Sequence, residues 1–85
     1  MHEHGLMTKL LRSAEREARE RGAALRGVVV RLGAMASSDP DHFRAEFEHV
    51  TEELGLGPLT LEVHAAPDHP AGVELLSVVL GEPRG

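Results

Sequence analysis

The apolar residues of this chain change period from helical to alternating and back within 85 residues, and that switching limits the fold more than any single motif does. Over residues 4–21, Leu6, Met7, Leu10, Leu11, Ala14 and Ala18 recur at three- and four-residue spacing, the stripe of an amphipathic helix. Glu15 with Arg19 and Glu17 with Arg21 stand in the favourable i, i+4 order on its outer side, and Gly22 is a natural stop. From Leu25 to Met35 the period becomes two, with Val28, Val30 and Leu32 on one side and Val29 and Arg31 on the other, which predicts a strand.

A second helix is predicted to open at Ser37-Ser38-Asp39-Pro40. Asp39 can accept from the free amides, and Pro40 suits a first helical position that needs no donor. Phe43, Phe47, Val50 and Leu54 form its buried stripe, and Gly55 with Gly57-Pro58 ends it. Residues 59–65 alternate again, residues 66–72 read as a loop, and Val73 to Leu80 is apolar almost throughout, the pattern of the best-covered strand. The order helix, strand, helix, strand, strand predicts a single α+β domain over residues 1–85, with two helices on one face of a three-stranded mixed sheet. The short loop favours an antiparallel hairpin of the last two strands, and the second helix serves as a right-handed crossover between the first two. In the last strand, strict alternation sets Leu76, Val78 and Leu80 on one face and Val73, Leu75 and Val79 on the other. One apolar set is then left away from the helices, so a homodimer or docking through the open sheet face is expected.

Composition removes several functions. There is no cysteine, so any metal must be held by His, carboxylate or backbone groups, and no thiolate zinc cage can form. No apolar run approaches the roughly 18 residues of a membrane span, and the first residues are too polar for a signal peptide, so a cytoplasmic protein is expected. The net charge of −5 is uneven: residues 1–38 hold seven basic and four acidic side chains, and residues 39–85 hold two and ten. An acidic chain with two Phe, no Tyr and no Trp lacks the cations and stacking platforms of a nucleic-acid binder. No nucleophile–base spacing and no phosphate-cradling glycine loop is present, so no catalytic residue is assigned and an enzyme is not expected.

The candidate metal ligands lie at the start. Met1-His2-Glu3-His4 offers an α-amine, backbone amides and an imidazole, nitrogen donors suited to a square-planar divalent ion such as nickel(II) or copper(II). His beside the initiator should keep Met1 in place. His4 can add a ligand, or serve simply as a solvated residue at a helix start. Two further sets are weaker. His42, Glu46, His49 and Glu53 share one flank of the second helix, where an exposed polar flank explains them without metal. His64, Asp68 and His69 form a possible secondary metal cluster in and beside the 66–72 loop, where a polar hairpin is the favoured explanation.

Taken in order, Met1-His2-Glu3, the leucine-bearing helix, the strand Val28 to Gly33, Ser38-Asp39-Pro40 leading to Phe43, Phe47-Glu48 and Thr51, and the final Leu75-Leu76-Ser77-Val78 resemble the HypA/HybF family of hydrogenase maturation nickel chaperones. The resemblance implies a nickel site made by the Met1 amine, His2 and the adjoining amides, with Glu3 in support. It also implies a maturation GTPase or a nickel-enzyme large subunit as partner. The family carries a zinc ribbon with two Cys-x-x-Cys pairs between its last two strands, where this chain has only residues 66–72, so Ni2+ without structural zinc is expected. The function implied is that of a nickel-binding accessory protein for maturation of a nickel enzyme, [NiFe] hydrogenase first among them. The competing reading is a metal-independent interaction or regulatory module on the same fold.

Overall fold

The computed structural model describes residues 3–36 and 39–83, and the side chains of residues 5–36 and 39–82. The elements follow the predicted order: α1 (Glu3–Glu20), β1 (Ala23–Leu32), α2 (Pro40–Glu53), β2 (Thr60–Ala65) and β3 (Val73–Pro83). The first helix ends where Gly22 takes a φ of 65°, a left-handed conformation that costs glycine nothing and lets the chain reverse directly into β1. β1 starts two residues earlier and ends three earlier than its alternation indicated, because Gly33, Ala34 and Met35 give their amides to the 66–72 loop instead of to a strand. The Asp39 carboxylate accepts from the His42 amide at 2.8 Å, as a capping residue should, whereas Ser37 and Ser38 lie outside the described residues.

Both helices lie on one face of a mixed sheet ordered β2-β1-β3. β2 runs parallel to β1 after the α2 crossover, and β3 runs antiparallel to β1 on its other side. The expected hairpin of the last two strands is therefore not formed. The seven residues after β2 instead cross the end of β1 and deliver β3 to its far edge. The best-covered strand is consequently β1, not β3. Val28 and Val30 are completely buried, while β3 as an edge strand has only partly buried apolar side chains.

The core is the meeting of three stripes. Met7, Leu10, Leu11, Ala14 and Ala18 come from α1, Phe43, Phe47 and Val50 from α2, and Val28, Val30 and Leu32 from β1. Each fully buried large side chain removes enough apolar area from water to contribute about 1.5–3 kcal/mol, and Phe47, Leu11, Val28, Val30 and Val50 are the largest. On either side of β1 the same face continues, through Leu61 and Val63 of β2 and through Val73, Leu75 and Val78 of β3.

That last set corrects the expected faces of β3. Val30 pairs with Leu75 but Val29 pairs with Ser77, so Leu76 is an extra residue, and alternation resumes out of phase beyond it. Val73, Leu75 and Val78 reach the core together, while Leu76 and Val79 are exposed. The open sheet face is mainly polar, carrying Thr60, Glu62 and His64 of β2, Arg31 of β1, and Glu74 and Ser77 of β3. The broad apolar surface expected there reduces to Val29 and Val79, while Leu76, exposed at the bulge, lines a shallow cavity with Ser13 and Glu17 of α1 and with Arg21.

Candidate metal-binding end of the domain

The N-terminal residues enter the fold as the first turn of α1. Because the helix begins at Glu3, its opening amides have no acceptor one turn earlier, so the Glu3 nitrogen is not needed by the helix ladder. Met1 and His2, and the side chains of Glu3 and His4, lie outside the described residues. Packing of the next turns of α1 sets the position of this end. Leu6, Lys9, Leu10 and Ser13 share a shallow surface cavity with Val73 and Leu75, so the first turns of α1 lie over the beginning of β3. The 66–72 loop arrives at the same point.

The loop is held closely. Gly33 donates its amide to the Gly72 carbonyl at 2.9 Å, Ala34 to His69 at 2.7 Å and Met35 to Ala71 at 2.9 Å, while the Ala66 amide donates back to Leu32 at 2.8 Å. A side chain at Gly33 would stand 2.2 Å from the Ala71 carbonyl oxygen, so glycine is required there by the approach of the two backbones. A short, cysteine-free loop thus closes the end of the sheet chiefly through main-chain hydrogen bonds.

Within this end the proposed secondary cluster does not converge. His64 stands on the open sheet face against Glu62, while His69 reaches Glu74, with its Nε2 2.9 Å from Oε1. Asp68 joins neither pair. The same Glu74 oxygen also accepts from Arg31 Nε at 2.9 Å and from the terminal guanidinium nitrogen at 2.7 Å. The Arg31 hydrogen bonds hold the Glu74 carboxyl below its usual range against partial desolvation, with the charges of Arg31 and His69 adding to the effect. Sequence reasoning passed over Glu74, because its pairing with Arg31 depends on the β1–β3 register, which no local pattern contains. On α2, His49 lies 3.5 Å from Glu53 in a side-by-side pair on an exposed flank. Among the described residues no three His, Cys, Asp or Glu side chains come together in a way that would hold a metal ion.

Two helices on one face of a three-stranded mixed sheet, with the first helix starting at Glu3, define a small α+β domain. Residues 1–70 match the HypA family model, described as hydrogenase/urease nickel incorporation, metallochaperone. The chain belongs to the HypA family. Its fold is similar to the solution structure of the Ni metallochaperone HypA from Helicobacter pylori, with a TM-score of 0.73 at 20% identity over 94% of this chain and 97% of that one. No curated protein sequence matches the chain significantly. No helix among the described residues is long and apolar enough to cross a membrane.

Proposed function

We propose that this chain is a cytoplasmic nickel carrier for the maturation of a nickel enzyme, with [NiFe] hydrogenase as the principal candidate recipient. Nickel is its cargo, passed to a maturation GTPase or to the enzyme's large subunit. In this reading Met1 supplies the amine, His2 its imidazole and amide nitrogen, and Glu3 a second amide with its carboxylate nearby. The single observation that carries it is the family match over residues 1–70, which includes these three residues and the helix behind them.

The chemistry is self-consistent. Two deprotonated amides cancel the charge of a divalent ion, so the complex places no net cation at the positive end of the α1 dipole. Taking the Glu3 nitrogen breaks no helical hydrogen bond, because the first turn has none to lose. Ligands at a chain terminus are also easily presented to an acceptor and easily withdrawn. With no thiolate cage, the domain is stabilised by its core and by the sealed 66–72 loop rather than by a structural metal. Nickel titration of wild type beside His2→Ala tests the assignment. Loss of stoichiometric binding with unchanged helical circular dichroism is expected, and a variant that binds nickel like the wild type would overturn it.

A further inference from the structure

The sheet has two edges, and they are protected unequally. An edge strand turns alternate amides and carbonyls outward, and proteins blunt such a row with charges, bulges, proline or short length. β2 is short, carries Glu62 against His64 on its open face, and has its Leu61 carbonyl taken by the Arg44 guanidinium at 3.1 Å. β3 has β1 on one side only, runs for 11 residues, and holds no charge from Leu75 to Leu80. Its charged residues are Glu74, engaged by Arg31 and His69, and Glu82 near the far end. Two of the three large apolar side chains exposed among the described residues, Leu76 and Val79, stand in that uncharged run.

A groove follows this edge. The cavity between Leu6 and Val73 and the cavity around Leu76 share Ser13 and Leu75, so they join between α1 and β3. α2 packs on the opposite flank of α1, where Glu15 and Arg19 face the loop after α2, so the groove opens past the free edge of β3. Leu75, Leu76, Val78 and Leu80 make its strand wall, and the charged groups on its rim are Lys9 at one end and Glu17 with Arg21 at the other. Glu17 and Arg21 are paired at 2.6 Å, whereas Lys9 has no carboxylate partner among the described residues. The groove is therefore apolar along its length, with one unmatched positive charge beside the start of β3.

We propose that the β3 edge and this groove bind an extended segment of a partner protein as a fourth strand, its aliphatic side chains entering the groove at every second position and a carboxylate meeting Lys9. Main-chain hydrogen bonds along Leu75 to Leu80 supply the affinity, and the groove reads alternate side chains because successive residues of a strand face opposite ways. A second copy of this chain does not fit the same edge. Pairing β3 with β3 about a two-fold axis would set the Leu76 bulge of each copy into one ladder, whereas a single extended segment follows one kink. A strip about 17 Å long and about 10 Å wide also falls far short of the roughly 800 Å² per partner of a stable protein–protein interface, yet it suits a short segment. The contact uses none of the terminal ligands and is independent of nickel.

The test titrates the full chain with a short synthetic peptide in which Val alternates with Thr and one end carries Asp, followed by amide chemical shifts in nuclear magnetic resonance. Shifts are expected along Leu75 to Leu80, with half-saturation below about 1 mM. N-methylation of one alternate set of peptide amides should weaken binding at least about tenfold, and N-methylation of the other set should not, because only one set faces β3. Leu76→Lys/Val79→Lys gives the edge the charges it lacks and should weaken binding as much, with wild-type circular dichroism. Lys9→Glu should weaken it about threefold, and should leave a peptide with Asn in place of Asp unchanged. No shift along β3 at about 1 mM peptide, an equal effect of the two N-methylated sets, or binding unmoved by the paired lysines would overturn the proposal. So would a concentration-dependent shift of the same amides without peptide, which would give the edge to a second copy.

Discussion

Gly33→Ala should destabilise the domain far more than the loss of a glycine normally would. An added Cβ would lie 2.2 Å from the Ala71 carbonyl oxygen, 2.8 Å from that of His69 and 2.9 Å from the Ala71 carbonyl carbon. All three are backbone atoms, and ordinary contact is about 3.5 Å, so the loop must retreat by more than about 1 Å. Overpacking of this kind costs about 1–3 kcal/mol. The same retreat stretches the bonds from Gly33, Ala34 and Met35 to the loop, each with a net contribution of about 1 kcal/mol. The combined loss is about 2–5 kcal/mol, against a total stability of about 4–13 kcal/mol for a chain of this size. At about 4–8 °C per kcal/mol the midpoint should fall by at least about 8 °C in thermal unfolding followed by circular dichroism. Gly81→Ala is the matched control, because its Cβ would meet the Nε, Cγ and Cδ of the flexible Arg26 side chain, which can move aside. If Gly33→Ala melts within about 2 °C of the wild type, the loop is not held as described.

Other substitutions probe the remaining links. Asp39→Ala removes the acceptor of the His42 amide and should cost about 1 kcal/mol in urea unfolding, with Asp39→Asn recovering most of it. Glu74 has a folded-state pKa depressed below 4.5, so its contribution is fully present above that unfolded value and is lost as pH falls through the folded value. Urea midpoints measured between about pH 3 and pH 7 should therefore show a shallower acid limb for Glu74→Gln than for wild type, and parallel limbs would refute the Arg31–Glu74 contact as its source.

Much of the fold is legible in the chain because each element carries its own local cause. The stripe of Met7, Leu11, Ala14 and Ala18 needs no tertiary context to specify a helix, and Asp39-Pro40 marks the start of the next one by hydrogen-bonding chemistry alone. What local pattern lacks is pairing. Residues 66–72 look like a hairpin connection, yet the chain crosses β1, because β1 alone carries three buried residues on the helix-facing side and occupies the centre. Leu76 illustrates the same limit, since strict alternation of Val73 to Leu80 cannot reveal the bulge that sends Leu75 and Val78 to one face. For the candidate site, donor chemistry and family resemblance single out Met1-His2-Glu3, of which Met1 and His2 lie outside the described residues. The Arg31–Glu74–His69 contact depends on register and emerges only in three dimensions.

The central claim, that nickel is held by the amino terminus outside the packed core, is tested most directly by blocking the terminal amine. Protein with its native Met1 and protein carrying a short N-terminal extension should be titrated with nickel under identical conditions by calorimetry, with circular dichroism recorded at each end point. Stoichiometric binding is predicted for the native terminus alone, with superimposable spectra for the two forms. Equal nickel binding by the extended chain would contradict the account and move the site elsewhere in the molecule.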